Sequence, residues 1–213
     1  MSEIAHIVII ADQVGSRRSP DAVPHALERL HEIDVVLRFE RTAGDEIQGL
    51  MKSGSTAIDA VMRLWRLGQW SIGIGIGAVE EPLPESTREA RGAAYMAARR
   101  AIEESGSAAS RLRIIAADSP DESEMSARAA ADAARDAETV LDLAEPLVSA
   151  RSAATWEALD MQLQGLSQME IGERLGITQG AVSRRLTRAY ANEIDRASEL
   201  AARLIESARG GGA

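Results

Sequence analysis

Residues 165–186 read GLSQMEIGERLGITQGAVSRRL and have the spacing of two short helices joined by a tight turn. Ser167 is a typical N-cap, and Glu170 follows it by three residues, which completes a capping box. Gly176 favours the left-handed conformation that ends a helix, and Thr178 can cap the next one. This pattern predicts a helix-turn-helix and is the most specific signal in the chain.

Each of the two predicted helices has one apolar face. Ile171 and Leu175 lie one turn apart on the first helix, and Val182 and Leu186 do so on the second, so both pairs are predicted to face a core. The other face of the second helix is free to enter a DNA major groove, where arginine binds guanine or phosphate. The residues predicted to contact DNA are Thr178, Gln179, Gly180, Ser183, Arg184, Arg185, Thr187 and Arg188. The alternative is a helical hairpin that only packs, with its arginines in solvent.

The charge of the chain is unevenly distributed. The net charge is −9, and residues 1–150 hold 25 acidic against 16 basic side chains. Residues 177–190 hold three arginines and no acidic residue. The sequence therefore predicts a basic patch within an acidic protein, whose acidic part stays away from DNA.

The last predicted helix, residues 191–209, suggests self-association. One module with three arginines binds DNA weakly at physiological salt, so a homodimer that reads two half-sites is expected. An apolar seam at spacings of three and four is formed by Ile194, Ala197, Ala201, Leu204 and Ala208. Such a seam can pack on a partner's helix.

The sequence before the helix-turn-helix alternates strand and helix patterns. Strands are predicted at residues 4–11, 35–41, 46–51, 70–76 and 112–117, and helices at residues 21–30, 55–67 and 86–105. This order predicts an α+β fold of the ferredoxin-like or palm type, βαββαβ plus αβ, with a mostly antiparallel sheet and helices on one face. Alternate glycines at 73, 75 and 77 leave one face of their strand bare, so a neighbour is expected to pack closely there.

Three segments are predicted along the chain. Residues 1–118 form the palm-like domain, residues 119–150 a helical linker, and residues 151–213 the all-α helix-turn-helix domain with its C-terminal dimerisation helix. The linker helix is predicted to open at Ser119, Pro120 and Asp121 and to end before Pro146. Gly210, Gly211 and Gly212 form a predicted frayed tail.

Acidic residues follow the first strand and occupy the hairpin turn. In a split βαβ sheet the first strand lies beside the second hairpin strand, so Asp12 and Asp45 are expected to converge. Asp12, Asp45 and Glu46 are predicted to hold a divalent cation such as Mg²⁺, which bridges to phosphate oxygens. The predicted phosphate-binding residues are Gln13, Val14, Gly15, Ser16 and Arg17. The alternative is that the two aspartates only cap turns.

These residues resemble a known pattern. The hairpin Gly44-Asp45-Glu46, Asp12 at the end of the first strand, the glycine-rich strand at 71–77 and the helical stretch at 94–99 resemble the palm domain of GGDEF diguanylate cyclases and class III nucleotide cyclases. The resemblance implies a palm fold with metal and nucleotide binding. Ala43 and Ile47 replace a glycine and a phenylalanine of that pattern, and Ala98 stands in place of a phosphate-binding lysine, which favours binding over catalysis.

Two further resemblances concern the C-terminal part and the whole chain. The helix-turn-helix resembles those of sigma-factor region 4 and LuxR-type regulators. An aspartate in the first strand, the turn Gly-Asp-Glu-Ile-Gln-Gly at 44–49 and a C-terminal helix-turn-helix together resemble the SatD family. That resemblance implies the architecture and leaves the activity open.

Composition excludes several classes of protein. The chain has no cysteine, which excludes disulfides, thiolate metal sites and a cysteine nucleophile. The absence of a signal-peptide pattern and of a long apolar stretch predicts a cytoplasmic location without a membrane span. The histidines lack ligand-like spacing, and Trp65 and Trp70 are interpreted as core or interface anchors.

The sequence therefore favours a DNA-binding transcription regulator whose palm-like domain senses a nucleotide or a metal–phosphate ligand. One alternative is a metal-dependent nucleotidyl cyclase-like enzyme. Another is a degenerate palm that serves only for dimerisation.

Overall fold

The computed structural model describes residues 5–118 and 123–210. The helices and strands in these ranges are β1 (His6–Gln13), α1 (Val23–Leu30), β2 (Val35–Arg41), β3 (Glu46–Met51), α2 (Gly54–Leu67), β4 (Trp70–Gly77), α3 (Ala93–Ser105), β5 (Leu112–Ala116), α4 (Glu124–Ser149), α5 (Ala153–Leu163), α6 (Gln168–Leu175), α7 (Gln179–Ala189) and α8 (Ala191–Ala208). The predicted strand start at Ile4, the helix opening at residues 119–121 and the glycine tail at residues 211 and 212 lie outside the described residues.

The strands pair in the order β2-β3-β1-β4-β5. β1 is antiparallel to β3 and β4, β2 is antiparallel to β3, and β5 is parallel to β4. The first four strands with α1 and α2 thus have the predicted βαββαβ order, and α3 with β5 forms the predicted extension. Helices follow in the C-terminal part, so the predicted α+β class is confirmed.

Helices cover both faces of the sheet, so the prediction that they lie on one face is wrong. Ile7 and Ile9 of β1 are buried in a core shared with α1, α2, α4 and α8. Val8 and Ile10 are buried on the opposite face, in a core with residues of α3. Because side chains alternate along a strand, the continuous apolar run of β1 requires a cover on each face.

The glycine-rich strand β4 lies directly against α3, as its bare face predicted. A Cβ atom built at Gly73 would lie 2.4 Å from the backbone nitrogen of Ile102. At Gly75 it would lie 2.1 Å from the backbone oxygen of Ala94 and 2.2 Å from the nitrogen of Ala98. The glycines therefore allow the backbone of α3 to rest on the sheet itself.

The three helices predicted at residues 21–30, 55–67 and 86–105 all begin at other residues. α1 begins at Val23 instead of residue 21. α3 begins at Ala93 instead of residue 86, because Gly92 has a φ of 134°, which lies outside the helical region. α2 begins at Gly54 instead of residue 55, and its N-cap Ser53 forms a capping box with Thr56.

The helix α4 continues through Pro146 to Ser149, whereas it was predicted to end before the proline. A proline in the last turn removes one backbone hydrogen bond. Ala144 and Val148 flank it and are buried in the same core as Ile7, so packing offsets that loss. The predicted linker is therefore part of the layer that covers the sheet.

The C-terminal helix α8 packs on its own chain. Its buried residues Ile194, Ala201 and Ile205 belong to the core shared with α2 and α4. Glu206 accepts a hydrogen bond from the backbone N–H of Gly54, at the start of α2. The seam that was predicted to meet a partner's helix is thus occupied within the chain, because α4 and α2 supply the apolar surface that it needs.

The helices α5, α6 and α7 form a separate small core of Ala158, Ile171, Val182 and Leu186. We call these three helices the helix-turn-helix module, and we call the sheet with α1–α4 and α8 the sheet domain. The module is inserted between α4 and α8, and both flanking helices pack on the sheet domain.

Candidate nucleic-acid interface and acidic pair

The helix-turn-helix module has the caps that its sequence predicted. Glu170 Oε2 accepts a hydrogen bond from the backbone N–H of Ser167 at 2.8 Å, and Ser167 Oγ accepts one from the N–H of Glu170 at 3.3 Å. The hydrogen bond that Ser167 Oγ donates to Glu170 holds the pKa of that carboxyl below its usual value. Gly176 ends α6 with φ 64° and ψ 33°, and Thr178 caps α7. The turn between α6 and α7 therefore has the caps of a helix-turn-helix.

The predicted DNA-contacting residues lie on or beside the solvent-facing side of α7. Val182 and Leu186 are buried beneath the helix. The exposed members of the set are Thr178, Gln179, Gly180, Arg184, Thr187 and Arg188. Their side chains and backbone are thus accessible to a macromolecular partner.

Two members of the set are half-buried, Ser183 and Arg185. Nη1 of Arg185 lies 4.0 Å from Oε2 of Glu157 on α5. Arg185 therefore lies on the side of α7 that faces α5, while Arg184 and Arg188 face solvent.

Sequence reasoning overlooked Gly172 in the middle of α6. A Cβ atom there would lie 2.9 Å from the backbone oxygen of Ile177, so the glycine lets α6 approach the turn. An isolated glycine within a helical pattern was the available signal, since such a residue often marks a close backbone approach.

The predicted convergence of Asp12 and Asp45 is found in the structure. Asp12 pairs across the strands with Glu46, and its carboxyl group is hydrogen-bonded to that of Asp45. Burial, followed by the charge of Asp45, raises the pKa of Asp12 to about 6. Two carboxyl groups in direct contact share a proton more readily than they carry two charges.

Glu46 is engaged by cationic and hydroxyl partners. Arg99 of α3 donates to both oxygens of Glu46, with Nη2 and Oε1 2.8 Å apart. The hydroxyl of Thr42 donates to Oε1 at 2.6 Å. Residues 5–118 and 123–210 contain no group of three or more acidic or histidine side chains placed to hold a metal ion. The structure thus brings Asp12 and Asp45 together, with Glu46 beside them in an ion pair.

Gln13, the last residue of β1, and Val14, which follows it, differ from their predicted role in binding phosphate. The backbone N–H of Gln13 donates to the oxygen of Asp45 at 3.3 Å, and that of Val14 donates to the oxygen of Gln69 at 2.8 Å. The buried Gln13 side chain donates to the oxygen of Pro20 at 2.7 Å. All three donor groups are used within the fold, so Gln13 and Val14 do not present donors to a phosphate.

The remaining three residues of that predicted phosphate loop lie further out. Gly15 adopts a φ of +75° with no atom within 4 Å of a Cβ built there, and Arg17 is exposed. Ser16 between them is half-buried. These three residues lie at the surface part of the turn that follows Asp12.

Sequence reasoning also overlooked a cluster between the sheet domain and the helix-turn-helix module. Arg66 of α2 forms two parallel hydrogen bonds with Asp160 of α5, at 2.7 and 2.5 Å. The guanidinium carbons of Arg66 and Arg151 lie 4.5 and 4.7 Å from the ring centre of Trp156. We call these four residues the Arg66 junction. Arg66 lies more than 80 residues before the other three residues in the sequence, so no local sequence pattern indicated this contact.

Other expectations concern the tryptophans and membrane spans. Trp65 and Trp70 are 6% and 3% exposed and lie in the core of the sheet domain, as interpreted. None of the described helices is long and apolar enough to cross a membrane.

Comparison with known proteins concerns the C-terminal part. Residues 155–192 match the family model for Sigma-70, region 4. This range contains all of α6 and α7 and most of α5. Searches for similar curated proteins and solved structures found no match. The C-terminal part of the chain therefore contains a helix-turn-helix DNA-binding domain of the sigma-70 region 4 type.

Proposed function

We propose that this protein is a DNA-binding transcription regulator that inserts α7 into the major groove. One observation supports this proposal above all. The range that matches the family model contains α7, whose exposed face bears Arg184 and Arg188 and no acidic residue. Exposed arginines on a second helix are suited to base edges and phosphates. The acidic sheet domain would repel DNA and so keep contact confined to the module.

A double substitution on α7 tests this function. DNA that binds the protein is first selected from a random pool, and the affinity of Arg184→Ala/Arg188→Ala is then measured as a function of salt. We expect the free energy of DNA binding to weaken by about 1–3 kcal/mol for each arginine that contacts a base. For each arginine that contacts a phosphate, we expect the DNA affinity to depend less steeply on salt concentration.

The matched control is Arg196→Ala/Arg203→Ala, which removes the same charge from exposed positions on α8. This control is expected to retain most of the affinity. Equal affinities of both double variants would show that α7 is not the recognition helix.

Two chains on two half-sites are our expectation for the bound state, because one module offers few phosphate contacts. The seam of α8 is buried within the chain, so a homodimer would use another surface. A selected site with two inverted repeats, together with sedimentation of a two-chain complex, would support it. A single half-site bound by one chain would contradict it.

We further propose that the sheet domain is palm-like and binds a nucleotide with Mg²⁺ at Asp12 and Asp45. The strand order and the paired carboxylates support this proposal. Mg²⁺ binds through carboxylates and phosphate oxygens, so it would replace the proton that the pair shares. Membership in the SatD family, which the sequence resembles, is part of the same proposal.

Titration with nucleoside triphosphates and Mg²⁺ distinguishes a sensor, an enzyme and a structural domain. Ligand binding is monitored by the heat stability of the protein, and turnover is monitored by product formation. Binding without turnover supports a sensor. Turnover that Asp45→Asn abolishes would instead make the sheet domain a cyclase-like enzyme, and the absence of both binding and turnover would leave the domain a purely structural or dimerising role.

A further inference from the structure

Two segments of the chain connect the sheet domain to the helix-turn-helix module, and these two segments contact each other. Residues 150–152 join α4 to α5, and Tyr190 alone joins α7 to α8 with a φ of 49°. Arg151 fastens the two segments together, because its Nε and Nη2 donate to the backbone oxygen of Ala189 at 2.9 and 2.5 Å. A module attached at one point in this way can pivot unless further contacts hold it.

The Arg66 junction supplies such contacts. Arg66 lies in the last turn of α2, which is anchored in the sheet domain, whereas Asp160 and Trp156 lie on α5 of the module. The two hydrogen bonds between Arg66 and Asp160 fix both the distance and the plane of the two groups. Among the ion pairs of the described residues, this pair is the one that joins α2 to the module.

The apolar contacts at this boundary are few. The module has its own core, and Trp156 is the member of α5–α7 that packs against the core of the sheet domain. Arg66 and Arg151 cover its ring, and the Arg66 side chain is one-third exposed. The orientation of the module thus depends on a small number of directional contacts instead of a broad apolar interface.

We propose that Arg66 is a positioning residue that holds the helix-turn-helix module in one orientation on the sheet domain. It acts through Asp160 and Trp156 and does not itself contact DNA. Loss of the pair would leave each domain folded while the module pivots at residues 150–152 and 190.

The test measures distances in the full chain by pulsed electron paramagnetic resonance. Because the sequence has no cysteine, labels can be placed at two introduced cysteines alone, at the exposed positions Glu28 on α1 and Glu173 on α6. The variants are Arg66→Gln, Asp160→Asn and the double substitution. The matched control is Arg63→Gln, one turn earlier on α2, whose ion pairs with Glu32 and Asp59 remain inside the sheet domain.

We expect one narrow distance distribution in the wild type and in Arg63→Gln, and an at least twofold broader one in Arg66→Gln and in Asp160→Asn. The double variant should be no broader than either single variant, because the two residues act as one pair. Circular dichroism and half-site DNA affinity should stay unchanged, which separates loss of orientation from loss of folding. A narrow distribution in Arg66→Gln, broadening that adds up in the double variant, or equal broadening in Arg63→Gln would overturn the proposal.

Discussion

At the scale of single residues, the acidic pair shows what sequence reasoning reached and what it missed. Asp12 and Asp45 were expected to converge, because strand order alone brings the end of β1 beside the hairpin turn. Arg99 was not assigned to Glu46, because that contact depends on where α3 lies over the sheet. Likewise, the side-chain hydrogen bonds of Gln13 depend on the path of a loop that periodicity does not predict.

The raised pKa of Asp12 predicts how stability changes with pH. A carboxyl group whose pKa is about 6 when folded and 3.8 otherwise binds its proton more tightly in the folded state. Its contribution to stability is therefore present at low pH and is lost as the pH rises through about 6. Asp12→Asn, which mimics the protonated form, should raise the free energy of unfolding at pH 7.5 by on the order of 1 kcal/mol, allowing for partial solvent exposure.

Urea unfolding at pH 7.5 and pH 4 measures this effect. The gain from Asp12→Asn should be small at pH 4, where the wild-type carboxyl is protonated. Asp136→Asn, which removes an exposed carboxylate from α4, is the control for the change in net charge. A gain of the same size at both pH values would contradict the role of the shared proton.

At the scale of helices and strands, the order and type of the elements followed from the sequence, while their limits and partners did not. Alternating glycines predicted the close contact of β4 with a neighbour, since a missing Cβ is visible in the sequence. The continuation of α4 through Pro146 was not predicted, because it depends on tertiary packing of Val148. The same holds for α8, whose seam fits a helix of its own chain as well as a partner's.

The contact between β4 and α3 predicts a large effect of one methyl group. In Gly75→Ala the new Cβ would meet the backbone of Ala94 and Ala98 at just over 2 Å, and neither backbone can turn away as a flexible side chain can. The helix must therefore move off the sheet, and we expect a loss of about 3 kcal/mol in the free energy of unfolding.

Chemical denaturation of Gly75→Ala beside Gly106→Ala checks this expectation. Gly106 ends α3 with a φ of −59° and has no atom within 4 Å of a built Cβ, so alanine there should raise the free energy of unfolding by about 0.4–1 kcal/mol. Similar stabilities for the two variants would mean that α3 does not rest on the glycines of β4.

At the scale of the whole molecule, the loop beside the acidic pair is hydrogen-bonded to the segment that ends α2, and α2 in turn contacts the helix-turn-helix module through Arg66. The N–H of Val14, two residues after Asp12, donates to the oxygen of Gln69, and Gln69 follows Arg66 by three residues. A ligand that moves the loop after β1 would therefore act on the end of α2 that bears the Arg66 junction. The contacts between the loop and the module are thus the hydrogen bond from Val14 to Gln69 and the ion pair between Arg66 and Asp160.

This arrangement predicts that ligand binding at the acidic pair changes the orientation of the module. With labels at residues 28 and 173, addition of Mg²⁺ and a nucleoside triphosphate that binds the protein should shift the distance distribution of the wild type. Asp12→Asn should lose the shift together with ligand binding, whereas Arg66→Gln should still bind the ligand, and its already broad distribution should not respond. Because a ligand can shift an orientation only by its difference in affinity for the two states, the affinity of the wild type should differ from that of Arg66→Gln. Ligand binding with equal affinity and an unchanged distribution in the wild type would show that the sheet domain and the module act independently.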